Sequence, residues 1–435
     1  MGCQHLPTLL WNRCKSRVVR LRRDLTQEFD YADSNFFFGV DFIMTVSGAR
    51  YNLKNAKLQR FWNVYRWIIY LPTILIFWNT FLNVRNWASM EILISSLQAS
   101  LAISVTILRM RIILWHYEPL MEVRRYVNRR QFGRDLVKSV GIRSEAFYSI
   151  RRIAICGVGF MFAFGASIPA LDFSENHIFK LPFDIGRDFP NVQYFCEKFV
   201  NFWTIGTSLM TALDLLIVYM VLAGLTAEGK VVALCFSSIF GNTGRRVQRK
   251  LESKPGNSRQ QAEREKFYFW KYLQEEFNSC VELNIEFLAA KNKIRPFLNA
   301  IFLITYYSTV VTLASGAIYL SQMETISLFS FLTLSYCLWV VIECALLTRL
   351  VNLATEANAS IGWQVYDLEW PAKLQYEERF REVYRSVRTA ILTVMAVSRQ
   401  PLRFNCFGFF EFTLDQFWIL LNMTYDLYKF FRRFV

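Results

Sequence analysis

The chain has 435 residues, of which 53% are hydrophobic, 17% aromatic and only 20% charged, and its mean hydropathy is +0.21. A soluble chain averages about 45–50% apolar and about 25% charged, so intrinsic disorder is excluded and a lipid environment is expected, with 40 Phe, 20 Tyr and 12 Trp to place. The formal net charge of +15 leaves three explanations: nucleic acid, an anionic membrane surface, or a topology signal.

The first residues, MGCQHLPTLL, lack the apolar run and small-residue site of a signal peptide. Leu6 stands where a myristoylation signal has Ser or Thr. After this tail come stretches with the roughly 20 apolar residues that a membrane-crossing helix needs. They run Trp67 to Val84, Ile92 to Leu108, Ile153 to Leu171, Phe199 to Ala227, Phe297 to Met323 and Thr325 to Leu347. A weaker seventh runs from Phe409 to Phe431. The fold class is all-α: a polytopic membrane protein with seven transmembrane helices, some extended into the cytosol. Residues 1–60 form a cytoplasmic tail, 61–227 hold spans one to four, and 228–295 form a cytoplasmic helical extension. Residues 296–348 hold spans five and six, 349–407 a cytoplasmic loop with an amphipathic helix, and 408–435 span seven.

Orientation follows from the connections, because Lys and Arg accumulate on the cytoplasmic side. One alternating set of segments holds 42 of the 50 Lys and Arg and the other holds 7, with Arg66 at a span boundary. The N-terminus is therefore expected inside and the C-terminus outside, opposite to a G-protein-coupled receptor. This distribution explains the positive charge and argues against nucleic-acid binding, which needs cations on one folded face with aromatic stacking partners.

Chemistry-bearing motifs are missing. The nine Cys are scattered without a C-x-x-C pair, and the three His (His5, His116, His177) belong to no metal or catalytic pattern. The chain is read as a non-enzyme needing no metal or cofactor. Gly157-Val158-Gly159 lies in span three, where small residues allow close helix packing. Asp214 and Glu343 interrupt spans four and six, and buried pairing with Tyr or Arg is expected for each. Ser253 to Gln261 reads as a loop tip. Between Leu374 and Met395 the apolar residues Phe380, Val383, Tyr384, Val387, Ile391, Val394 and Met395 make one helical stripe, with Glu377 and Arg381 able to pair beside it. Such a stripe needs a cover, either the chain's own helices or another subunit.

Span seven carries Glu411, Asp415, Asn422, Asp426, Lys429 and, just beyond, Arg433. At about 100° per residue these fall within about 60° of arc. Charged residues in a membrane rarely face lipid, so this stripe lines water or packs in a polar interface; local pairing of Asp426 with Lys429 is the simpler alternative.

The last 65 or so residues carry a recognisable order of elements. Tyr366-Asp367-Leu368-Glu369-Trp370, an amphipathic helix, Gln400-Pro401-Leu402-Arg403-Phe404 and FFEFTLDQFWILLNMTYDLY from Phe409 to Tyr428 resemble the C-terminal signature of insect odorant receptors. Gustatory receptors share the architecture but end differently after the Thr-Tyr pair, so they fit less well. The resemblance implies a ligand-gated, non-selective cation channel subunit in the membrane of olfactory neurons, forming a heterotetramer with a shared co-receptor. It further implies a central pore lined by the final helix and a small volatile odorant bound within each subunit. Phe430 joins the pore-lining set on this basis. Arg432 and Arg433, at the end where the co-receptor is mostly apolar, mark a tuning subunit. The pocket is expected between spans two and six, with Phe164, Ile168, Trp203, Thr207, Met210, Tyr307, Phe331 and Tyr336 as ligand contacts.

Overall fold

The computed structural model describes residues 56–86, 90–129, 136–170, 189–253, 258–322, 328–400 and 403–432, with scattered positions from 15 to 48 and residue 181. The described elements are α1 (Ala56–Arg85), α2 (Met90–Trp115), α3 (Tyr117–Arg129), α4 (Leu136–Ala170), α5 (Pro190–Ser237), α6 (Ile239–Glu252), α7 (Ser258–Gln322), α8 (Leu328–Tyr366), the short α9 (Trp370–Lys373), α10 (Arg381–Ser398) and α11 (Leu414–Phe431). Two single turns of 3₁₀ helix, Glu378–Phe380 and Cys406–Gly408, precede α10 and α11. Among the described residues six helices, α1, α2, α4, α5, α7 and α8, are long and apolar enough to cross a membrane, and α11 is shorter and more polar.

The organising element is α5. With 48 residues it is about 72 Å long, more than twice the roughly 30 Å apolar thickness of a bilayer. Every residue from Met210 to Gly229 is buried, because apolar side chains surround the whole circumference and neighbours cover every face. α4, α7, α8 and α2 pack on it, and α11 packs on α7 and α8. In contrast, α1 exposes Trp67, Leu71, Ile74, Phe77, Trp78 and Phe81, an apolar surface suited to lipid. Close approach comes from single glycines: a Cβ on Gly165 would sit 2.8 Å from the Ile205 backbone, and one on Gly316 would sit 2.5 Å from the Cys337 sulfur. The Gly157–Gly159 pair is not such a place. A Cβ on Gly157 would make only an ordinary 3.4 Å contact with Trp339, and one on Gly159 would meet nothing within 4 Å.

Beyond the apolar lengths, α5, α7 and α8 continue into a second core at one end of the bundle, here called the base, together with α6 and α10. Val232, Phe236, Trp270, Phe277, Ile361 and Val387 are among its buried members. The amphipathic stripe is covered here by the chain's own helices: Val387, Ile391 and Val394 are buried, and Phe380, Val383, Tyr384 and Met395 pack at their edge. The flanking ion pair also differs from expectation. Arg381 pairs with Glu378 at 3.3 Å, while Glu377 pairs with Lys266 of α7. Helix α7 starts at Ser258, so the second half of the expected loop tip is helical. Asn358 is a buried tie: its amide donates to the carbonyls of Ser398 (3.3 Å) and Gln400 (3.4 Å) and accepts from Lys291 (3.2 Å).

Two arginines counted with the basic connections are in fact inside the fold. Arg109 is buried because α2 runs on to Trp115. Arg143, on α4, is enclosed with Glu228 of α5 at 2.8 Å and donates to the Tyr31 hydroxyl at 2.9 Å.

Candidate functional site

At the end of the bundle away from the base, α1, α2, α4, α5 and α8 line a partly open cavity of about 140 Å³. Its apolar wall is built from Ile76, Ala99, Met161, Phe164, Ile168 and Leu332. Phe164 stacks on Tyr336 at 6.1 Å. The α2 side is a stripe at three- and four-residue spacing, Ser95, Gln98, Ala99, Ala102, Ile103 and Thr106, the periodicity of a single helix face. The α5 side is Trp203, Thr204, Thr207, Ser208 and Thr211. Small and hydroxylated residues make the space, since they leave volume without exposing unsatisfied groups: Ser95, Thr106, Thr204, Thr207 and Thr211 donate to backbone carbonyls three or four residues back. A volume near 150 Å³ holds a benzene-sized molecule, so the cavity suits a compact ligand. Gln98 also walls a larger apolar space, about 440 Å³, bounded by α2, α7 and by Leu427 and Phe431 of α11.

One turn below the floor lies a charged cluster. Arg109 follows Thr106 on α2, Asp214 follows Thr211 on α5, and the two threonine hydroxyls meet at 3.0 Å. Arg109 donates to Glu343 of α8 at 2.5 Å and to Thr305 of α7 at 3.0 Å. Glu343 thus has the arginine partner expected of it. Asp214 is 1% exposed and among the described residues neither carboxylate oxygen has a hydrogen-bond partner; its expected pairing takes the form of electrostatic proximity to Arg109. Thr305 leads to α11, because the hydroxyl of the next residue, Tyr306, accepts from Gln416 at 3.2 Å.

The approach to α11 is a tight turn in which Cys406, Phe407 and Gly408 have φ of 42°, 58° and 92°, a conformation that costs energy for the two side-chain-bearing residues. It presses Phe404 and Phe412 onto Phe302 of α7 at 5.4 and 4.4 Å. Thr413 then caps α11, its hydroxyl accepting from the Gln416 amide at 3.3 Å. The helix turns Phe417 and Leu420 inward, while Asp415, Asn422, Asp426, Lys429 and Phe430 are exposed on the chain's surface. Lys429 lies 4.2 Å from the Tyr425 ring centroid, and among the described residues no ion pair joins it to Asp426. Glu411 precedes the helix and pairs with Arg403 at 3.2 Å, so helical phase does not place it on the stripe. Arg433 lies outside the described residues.

Of the expected ligand contacts, Phe164, Ile168, Trp203, Thr207 and Tyr336 meet at the cavity. Met210 instead lines a minor void behind Trp203 and Thr207. Tyr307 and Phe331 are 43% and 62% exposed on the outside of the bundle, because one helical step turns them away from it. Contacts from α1 and α2 were missed; the polar and small stripe from Ser95 to Thr106 was the available signal.

The fold is similar to that of an insect olfactory receptor, OR5 from Machilis hrabei. Its eugenol complex matches with TM-score 0.65 at 11% identity over 96% of this chain and 99% of that one. A second OR5 structure matches with TM-score 0.62 at 12% identity, covering 90% of this chain and 96% of that one. No curated protein matches. Residues 89–425 match the family described as 7tm odorant receptor, a stretch that holds the cavity lining apart from Ile76, the charged cluster and the first two thirds of α11, and the chain belongs to that family.

Proposed function

We propose that the chain is the tuning subunit of an odorant-gated, non-selective cation channel, binding a small volatile ligand in the α1–α2–α4–α5–α8 cavity and conducting together with a shared co-receptor as a heterotetramer. The observation that carries this reading is the face of α11. Asp415, Asn422, Asp426 and Lys429 point out of their own chain while Phe417 and Leu420 hold the helix to α7 and α8. A polar face turned outward at membrane depth needs water or other subunits against it, and a central pore supplies both. The contacts from Arg109 through Thr305 and Tyr306 to Gln416 support coupling between cavity and pore helix. Eugenol in the OR5 complex supports a small, mostly apolar ligand. The N-terminus is inside, by the distribution of Lys and Arg, and the working location is the dendritic membrane of an olfactory neuron.

The test is current recording from cells expressing this chain alone, the co-receptor alone and both. Odorant-evoked cation current only from the pair is expected, and odorant current from this chain alone overturns the tuning-subunit role. An N-terminal epitope tag tests topology: staining of intact, unpermeabilised cells overturns the inward N-terminus.

A further inference from the structure

The cavity's polar groups are unequal. The five hydroxyls named above already donate to backbone carbonyls, so what they retain is lone pairs, which are cheap to leave unmet. Two buried N–H donors differ. Trp203 is 8% exposed and among the described residues its indole Nε1 has no hydrogen-bond partner; indole nitrogen can only donate. Gln98 is 7% exposed, and among the described residues its Nε2 meets only the Cys337 sulfur, a weak acceptor that leaves most of its donor capacity unmet. One lies on α5 and the other on α2, on two walls of the same space. A buried unpaired donor is expensive, and each is met if the occupant brings an acceptor. The remaining wall is mostly apolar, with Ser208, Thr333 and Tyr336 as its other hydroxyl-bearing residues, and the volume admits few heavy atoms besides.

We propose that Gln98 and Trp203 are the specificity-determining residues of the cavity, and that they select compact apolar ligands carrying a hydrogen-bond-accepting oxygen, such as ketones, aldehydes, esters and ethers, over hydrocarbons of the same shape. This deepens the odorant-receptor reading and rests on it. A site built around unmet polar groups rejects an isostere lacking the complementary group far more strongly than an apolar pocket rejects an added one. Neither residue pairs with Arg109, Asp214 or Glu343, so removing either N–H leaves the charged cluster unaltered.

The experiment uses the chain co-expressed with the co-receptor and matched probes: cyclohexanone against methylenecyclohexane, with the same comparison in open-chain and aromatic ketones and their methylene isosteres. In the wild type the carbonyl member of each pair is expected to act at about tenfold lower concentration. Gln98→Met and Trp203→Phe each shrink that ratio severalfold while the hydrocarbon response persists, which shows the variants are folded and gated. A wild-type ratio within twofold overturns the proposal, as does an unchanged ratio in both variants. Silence to every matched pair in a complex that other odorants activate also overturns it. Failure of the receptor reading looks different: no odorant activates the complex, or responses survive unchanged in Thr207→Trp, which fills the cavity.

Discussion

Replacing Glu343 by Gln separates the charged cluster's cation from its direct partner. Both side chains are 3% exposed and 2.5 Å apart, so water cannot substitute for the lost contact. Removing one member of a buried pair costs about 3–5 kcal/mol, since the charge left behind is uncompensated. Glu343→Gln belongs near 3 kcal/mol on that range, because Arg109 keeps the Thr305 hydroxyl and the field of Asp214. Arg109→Met belongs near 5 kcal/mol, because it leaves two carboxyls with no cation between them. With about 2.1 cal/mol/K of unfolding entropy per residue, a chain of 435 residues loses about 3 °C and 5 °C of Tm respectively. The double variant Arg109→Met/Glu343→Met removes the pair as a unit, so its cost falls below the sum of the singles by about 2–3 kcal/mol. Thermal unfolding of the purified chain in lipid nanodiscs, followed by tryptophan fluorescence, measures all three. Additive losses, with coupling under about 0.5 kcal/mol, would falsify the view that the two charges stabilise the fold only as a pair.

Three further outcomes follow from the geometry. Gly165→Val drives a side chain into the Ile205 backbone, which costs about 1–3 kcal/mol and narrows the cavity, whereas Gly141→Ala, with nothing within 4 Å, gains up to about 1 kcal/mol; equal effects in a thermal-shift assay would refute the close approach. Lys291 lies in the charged half of α7, before the apolar stretch that starts at Phe297, and burial with Arg295 nearby lowers its ammonium from 10.5 to about 8. Because the native state holds the proton less tightly, the destabilisation is fully present below pH 8 and disappears as pH rises to 10.5. Lys291→Gln, which keeps a donor for Asn358, is therefore expected to stabilise by about 1 kcal/mol at pH 7 after allowance for solvent screening and by nothing near pH 10.5; a pH-independent gain contradicts this. Asp415→Asn and Asp426→Asn in the co-expressed channel are expected to change relative cation permeability and rectification, and unchanged values in both place these residues in an interface away from the ion path.

Helix number and polarity were readable because both depend on composition along the chain. Apolar runs from Trp67 to Leu347 mark the spans, and the polar phase of α11 is visible in Asp415, Asn422 and Asp426. What composition does not encode is where a helix stops and which face meets which. Span two reads as ending at Leu108 because Arg109 and Arg111 look like a cytoplasmic margin; the helix continues because Glu343, 234 positions away, neutralises Arg109. Span seven reads as starting at Phe409, yet the left-handed residues around Phe407 delay the helix to Leu414. Tyr307 and Tyr306 are equally aromatic, and only the phase of α7 decides that Tyr306 is enclosed with Phe410 while Tyr307 is half exposed. The cavity itself is a property of five helices at once, and its α2 wall mixes polar with small and apolar residues that local pattern assigns to ordinary helix packing.

The two enclosed ion pairs bear on the cavity without touching a ligand. Lipid tails are as apolar as leucine, so sliding one membrane helix past another carries little hydrophobic penalty, and packing alone defines register weakly. Charges define it strongly. A shift of one turn, about 5.4 Å, would part Arg143 from Glu228 while both remained enclosed, and the same slide between α2 and α8 would part Arg109 from Glu343. The helices joined by these pairs are α4 with α5 and α2 with α8, the same four that, with α1, wall the cavity. Along α5, Glu228 lies 17 residues beyond Thr211, about 25 Å from the cavity floor, so a contact near the base determines how the wall residues of α4 and α5 face one another at the far end. For the proposed ligand site, Arg143 and Glu228 are therefore expected to influence selectivity as well as the lining: a conservative change at the base that leaves the helices folded, such as Glu228→Gln, is expected to shift the odorant response profile without altering any lining atom, and an unchanged profile contradicts this.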